Sequence, residues 1–146
     1  METKETKKAT LELVNKSEVA SLYTILFENE SASEFTKFMS KFKDSAHLQR
    51  DYQIILFALQ KILENGALPV TSGKLRLYCL RLSDKILIIG NGGIKESKTY
   101  NENPELSGYV IDLQNFDSII KKALNEGLIS IEETDILGID PQTFNL

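Results

Sequence analysis

From Ser21 to Phe27 the chain reads Ser-Leu-Tyr-Thr-Ile-Leu-Phe, dense in β-forming residues, apolar on both faces, and stopped by Glu28-Asn29-Glu30. That pattern predicts a central strand, because a strand with no polar face must be covered on both sides. Beyond it, Phe35, Phe38, Met39 and Phe42 recur at helical spacing, and Ser31 stands three positions before Glu34 as a capping box. A helix is therefore expected over about 31–45. A second amphipathic run follows directly, with Leu48, Tyr52, Ile55, Leu56, Leu59, Ile62 and Leu63 on one stripe and Asn65-Gly66 as a left-handed stop.

At Lys74 the period changes from helical to alternating. Leu75, Leu77, Cys79 and Arg81 fall on one side of the run, and Arg76, Tyr78, Leu80 and Leu82 on the other, which predicts a strand. Ser83-Asp84 turns the chain into the apolar run Lys85-Ile86-Leu87-Ile88-Ile89, so the two strands form a hairpin. Gly90-Asn91-Gly92-Gly93 predicts a break or bulge with positive φ before Ile94 to Lys98 resumes the strand. Asn101 to Glu105 reads as a polar loop, Asn115 to Glu126 as a helix ended by Gly127, and Leu128 to Glu132 as one more short strand. From Thr134 onward no period is visible.

Near the start, Leu11, Leu13, Val14 and Val19 mark a short element, while residues 1–10 hold too little apolar surface to offset ordering entropy and are expected to be disordered. The elements add up to one α+β domain over residues 1–146. A small antiparallel sheet packs against two consecutive N-terminal helices, with an extra C-terminal helix.

Composition sharpens this reading. An apolar content of 42% over 146 residues is enough for a core, and a formal charge of −4 gives no overall cationic field to attract nucleic acid. The charge is unevenly spread, however: residues 74–100 carry six basic and two acidic groups, whereas 101–146 carry two and nine. A single cysteine, Cys79, rules out an intrachain disulfide and fits a reducing, cytoplasmic setting. The first ten residues have no apolar signal region, and no apolar run approaches the ~20 residues of a membrane span, so no membrane association is expected.

Much chemistry is excluded by missing residue types. With one histidine, His47, and one cysteine there is no zinc-type cluster. The glycine run at 90–93 lacks the lysine and spacing of a phosphate-binding loop, and the acidic residues of 101–146 do not single out an acid–base pair. No metal or cofactor is expected. What remains is the cationic strand region: Lys74, Arg76, Arg81, Lys85, Lys95 and Lys98, with Tyr78 and Tyr100. Arginine and lysine beside aromatic rings suit RNA, whose phosphates need fixed donors and whose unpaired bases need flat surfaces.

Tyr23-Thr24-Ile25-Leu26-Phe27-Glu28-Asn29 stands ahead of a helix bearing Glu34-Phe35, and Ala58 to Gly66 is followed by Leu68-Pro69. Then come Leu75-Arg76 and Lys85 to Ile89 running into Asn91 to Thr99. This series resembles the RelE/ParE superfamily of toxin–antitoxin toxins, closest to the HigB-like, phage-derived branch. The likeness covers about residues 22–100 and leaves 101–146 as an acidic extension without counterpart.

The resemblance implies a RelE-like fold and a bacterial, metal-independent mRNA endonuclease, ribosome-associated and held inactive by a cognate antitoxin such as a helix-turn-helix protein. Carried over by position, Arg76 matches the sheet arginine, and Lys95 and Lys98 the basic end of the last strand. Tyr100 joins them as a catalytic group, with Lys74, Tyr78 and Arg81 as RNA-binding residues. Asn91, Gly93 and Glu96 depart from the His, Phe and Lys usual in the family. Two other readings stand beside it: a non-catalytic interaction module that keeps this fold and binds another protein through the sheet or the acidic C-terminal helix, and a toxin inhibited by its own C-terminal segment. The RNA readings require the hairpin cations to gather on one outward surface beside Tyr23–Phe27.

Overall fold

Strand β2 (Ser21–Phe27) lies in the middle of a five-stranded sheet, where its two apolar faces are both covered. The computed structural model describes residues 7–65, 74–95, 104–138 and 143–146. In chain order the main elements are β1 (Lys8–Lys16), β2, α1 (Glu34–Phe42), α2 (Gln49–Asn65), β3 (Leu75–Ser83), β4 (Ile86–Ile94) and α3 (Pro104–Asn125). Three short strands follow: β5 (Ser130–Glu132), β6 (Asp135–Leu137) and β7 (Phe144–Asn145). The large sheet runs β3-β4-β2-β1-β7, and β5 and β6 form a separate two-stranded hairpin.

The sheet is mixed, which corrects the expectation of an antiparallel one. β2 and β4 are parallel, with Ser21 opposite Ile86 and Thr24 opposite Ile89, while β1–β2, β3–β4 and β1–β7 are antiparallel. The cause is the crossover: the chain leaves β2 through α1 and α2 and returns at the sheet's edge as β3. The tight turn at Ser83 then inserts β4 between β3 and β2, pointing the same way as β2.

Each face of the sheet is buried under helices, giving three layers. Leu22, Leu75, Leu87 and Ile89 pack against Phe35, Phe38 and Phe42 of α1 and Tyr52, Ile55 and Leu59 of α2. On the other face, Tyr23, Ile25, Ile86 and Ile88 pack against Leu113, Phe116 and Ile120 of α3. Phe38 and Phe116 are both 0% exposed, so α3 is as much a core layer as the two earlier helices.

The helix expected over 115–126 therefore begins eleven residues earlier, at Pro104, where a missing N–H costs nothing in the first helical turn. Ser107-Gly108 disguised this half, and a Cβ at Gly108 would meet nothing within 4 Å, so the glycine is a tolerated surface position. Ser33 rather than Ser31 caps α1, its Oγ accepting the Thr36 N–H at 3.2 Å. Residues 8–10, expected to be disordered, belong to β1 because Ala9, 1% exposed, is held between Phe27 and Phe144. The rest of that expectation, residues 1–6, lies outside the described residues.

One buried side chain ties the layers together. Thr24 Oγ1 donates to the Ile89 carbonyl at 2.7 Å and accepts the Phe35 N–H at 3.1 Å, joining β2, β4 and the first turn of α1. Thr24→Val keeps the shape but removes both bonds and leaves a buried N–H and carbonyl short of a partner. The expected loss is about 2 kcal/mol in a denaturant-unfolding measurement, with Thr24→Ser recovering most of it.

Candidate functional site

Seven residues were singled out by the sequence, and the structure brings three of them together. The Lys95 N–H donates to the Lys74 carbonyl at 2.7 Å, and Arg76 lies opposite Gly93 in the same ladder. Lys74, Arg76 and Lys95 thus share the open end of the β3–β4 hairpin. Lys74 is exposed and its N–H donates to Asp51 Oδ2 of α2 at 3.0 Å, which fixes that end against the helix. Lys98 and Tyr100 lie outside the described residues.

Among the described cations, Arg76 and Arg81 do not share one surface. In β3, Leu75, Leu77 and Cys79 pack on the α1–α2 side, and Tyr78, Leu80 and Leu82 on the α3 side. Strand alternation then places Arg76 with the second group and Arg81 with the first. Tyr78 is half-buried and packs into the core cluster that α3 covers, so its ring is not an open stacking platform. Arg81 curls over the hairpin turn, its Nη1 donating to the Asp84 carbonyl at 2.9 Å. Its Nε and Nη2 are buried without a hydrogen-bond partner.

The glycine run acts through space rather than through positive φ. β4 runs continuously from Ile86 to Ile94, with a bulge where Leu77 faces Gly92 and Cys79 faces Ile89. A Cβ on Gly92 would stand 1.8 Å from the Arg76 carbonyl oxygen, so only glycine lets the two strands close beside Arg76. Among the described glycines, positive φ occurs at Gly127 and Gly138. Burial pushes the Cys79 thiol up to about 12, which leaves it protonated and poorly nucleophilic. His47 is exposed.

A second grouping went unseen in the sequence because its members are far apart along the chain. β2 hands the chain to α1 on one face while α3 covers the other, and a cleft of about 420 Å³ opens at the carboxyl end of β2, between α1, α3 and the start of β1. Lys37 pairs there with Glu34 at 2.6 Å and with Glu30, and Lys7 with Asp112 at 3.1 Å. Beside it, Lys41 Nζ donates to the Gly92 carbonyl at 2.8 Å and to Tyr109 Oη at 3.0 Å, and Tyr109 Oη donates to Glu105 at 2.7 Å.

Burial opposes the charge on Lys37, yet its hydrogen bonds to Glu30 and Glu34 outweigh it and hold the ammonium above its ordinary value. Burial and the bond to Glu105 push the Tyr109 phenol up. Each of these lysines has a carboxylate neighbour, so the cleft is neutralised from within and clamps α1, α3 and β1 around the sheet's end. Among the described residues, no group of three or more His, Cys, Asp or Glu is placed to hold a metal ion. No described helix is long and apolar enough to cross a membrane.

Compared as a whole, the chain matches no family model, no curated protein and no solved structure.

The Tyr109 hydrogen bond, with help from Lys41, holds the Glu105 carboxyl below its ordinary value of 4.5. A carboxyl depressed in the folded state stabilises the fold fully above its unfolded-state pKa and loses that effect as pH falls through the folded-state value. Tyr109→Phe is therefore expected to melt earlier than the wild type near neutral pH, and the two melting temperatures should converge as the pH falls through the folded-state value.

Proposed function

We propose that this chain is a non-catalytic protein-interaction module whose binding element is the β3–β4 hairpin. The observation that carries this reading is the division of the hairpin's groups between two helix-covered faces, with Arg76 on one side and Arg81 on the other. Acid–base cleavage of RNA needs a base, an acid and charge-stabilising cations around one phosphate, and Arg81, turned to the opposite face, cannot join Arg76 and Lys95 around it. What β3 leaves without a strand partner among the described residues is its outer backbone edge, since it comes last in the sheet.

A second reading is an RNA-directed toxin of the RelE/ParE type, restrained by a cognate antitoxin and acting on mRNA or the ribosome. It is favoured by Lys74, Arg76 and Lys95 meeting at the open end of the hairpin. In that reading Lys98 and Tyr100 complete the catalytic set, with Tyr78 and Arg81 on the RNA. Self-inhibition by the C-terminal segment draws no support from α3: this helix buries Phe116 and Ile120 completely, so removing it uncovers core instead of freeing a site.

Inducing the chain in a bacterial host separates the two. The module reading expects unimpaired growth and intact mRNA. Growth arrest with mRNA cleavage that disappears in the Arg76→Ala, Lys95→Ala double variant would establish the toxin reading in its place.

A further inference from the structure

We infer that the outer edge of β3 takes up an extended, acidic segment of another protein as an added strand. This rests on the module reading and names its partner's chemistry.

The edge itself comes first. β3 is nine residues long and last in the sheet, and no strand among the described residues pairs with its outer side. Such a row of backbone donors and acceptors is a template for another strand. After Leu75 every β3 residue is half-buried instead of exposed, so the flanking helices rise beside the edge and form walls for an incoming chain.

One wall encloses a groove. Tyr78 and Leu80 of β3 and Val110 and Leu113 of α3 line a trough of about 210 Å³ along the edge, closed by Asp117. A strand added to β3 turns every second side chain into this trough, and the lining asks for apolar ones. Asp117 Oδ2 is taken by Lys121 at 2.9 Å, but Oδ1 is buried with no hydrogen-bond partner, so a hydroxyl-bearing side chain is accepted at that end.

The alternate side chains fall on the opposite face, where Arg81 sits. Its Nε and Nη2 are also buried without a partner, and a carboxylate that reaches them gains charge-assisted bonds. Lys74 lies at the open end of the same hairpin, within a region of six basic and two acidic groups, while Lys85 at its turn is already paired with Glu133. The preferred occupant therefore alternates apolar and acidic residues. A second copy of β3 fits less well, because Leu75–Ser83 holds no carboxylate to offer Arg81.

The test is an NMR titration of the isotope-labelled full chain with a short synthetic peptide of alternating valine and glutamate, and with its valine–lysine counterpart. The acidic peptide is expected to shift amides of Leu75–Ser83 and of α3 from Val110 to Asp117, while the lysine peptide leaves them in place. Arg81→Glu should weaken binding by about tenfold or more, with Lys61→Glu on α2 as an unaffected charge control. The spectrum of each variant without peptide reports its folding.

Shifts elsewhere, equal binding of both peptides, or no binding by a folded chain would overturn the edge assignment. So would a dimer in sedimentation that protects the β3 amides without peptide, since it gives the edge to a second copy. RNA cleavage in the induction experiment overturns the module reading itself, whereas intact mRNA with no peptide binding removes only the edge assignment.

Discussion

The hydroxyl of Thr24 joins three elements that are far apart in the chain, and the position of every later element follows from that junction. It lies in β2, donates to β4 and accepts from the first turn of α1, and it is 1% exposed. The Ser21 N–H starts the same parallel pairing by donating to the Lys85 carbonyl at 2.8 Å. A hydroxyl satisfied in both directions inside a core strongly prefers the one register that satisfies it, because a slip of one residue would bury its donor and acceptor unpaired. Once β4 is held beside β2, β3 is forced to the sheet's edge, and the chain leaving β4 carries α3 to the face that α1 and α2 leave open.

The two-sided burial of the sheet has a functional consequence. A hairpin whose faces are both roofed by helices presents its backbone edge and its open end, not a broad surface. Lys74, Arg76 and Lys95 occupy the open end, and Gly92 lets the strands close there. At the carboxyl ends of β2 and β4, lysines on β1's entry and α1 meet carboxylates of α1 and α3. Partly exposed ion pairs such as Lys7–Asp112 and Lys41–Glu105 each contribute little, so their role is to align the helices around the sheet more than to stabilise the fold.

Local pattern made part of this architecture legible. β2 announced itself as central by lacking a polar face, and the alternation from Leu75 to Leu82 matches the side on which Leu75, Leu77, Tyr78, Cys79, Leu80 and Leu82 pack. Both early helices were readable from aromatic and aliphatic spacing. The parallel pairing was not, because strand neighbours brought together by a crossover leave no mark in either strand. The first half of α3 was hidden by Ser107-Gly108, and β7 is two residues held by Lys8 and Ala9 at the other end of the chain and by Phe116 of α3. The same reasoning explains the site: parity within β3 was visible, but not the helix that covers Tyr78, and the Lys41–Glu105–Tyr109 contact spans 64 to 68 positions.

Native-state hydrogen exchange tests the central junction most directly, because it reads the opening of each strand separately. If the β2–β4 pairing with its Thr24 link is the last structure to open, the amides of Ser21–Thr24, Ile86–Ile89 and Phe35 exchange only through global unfolding, while those of β3 and the far end of β1 exchange sooner. Amides of β2 and β4 that exchange as fast as, or faster than, those of β3 would contradict the account.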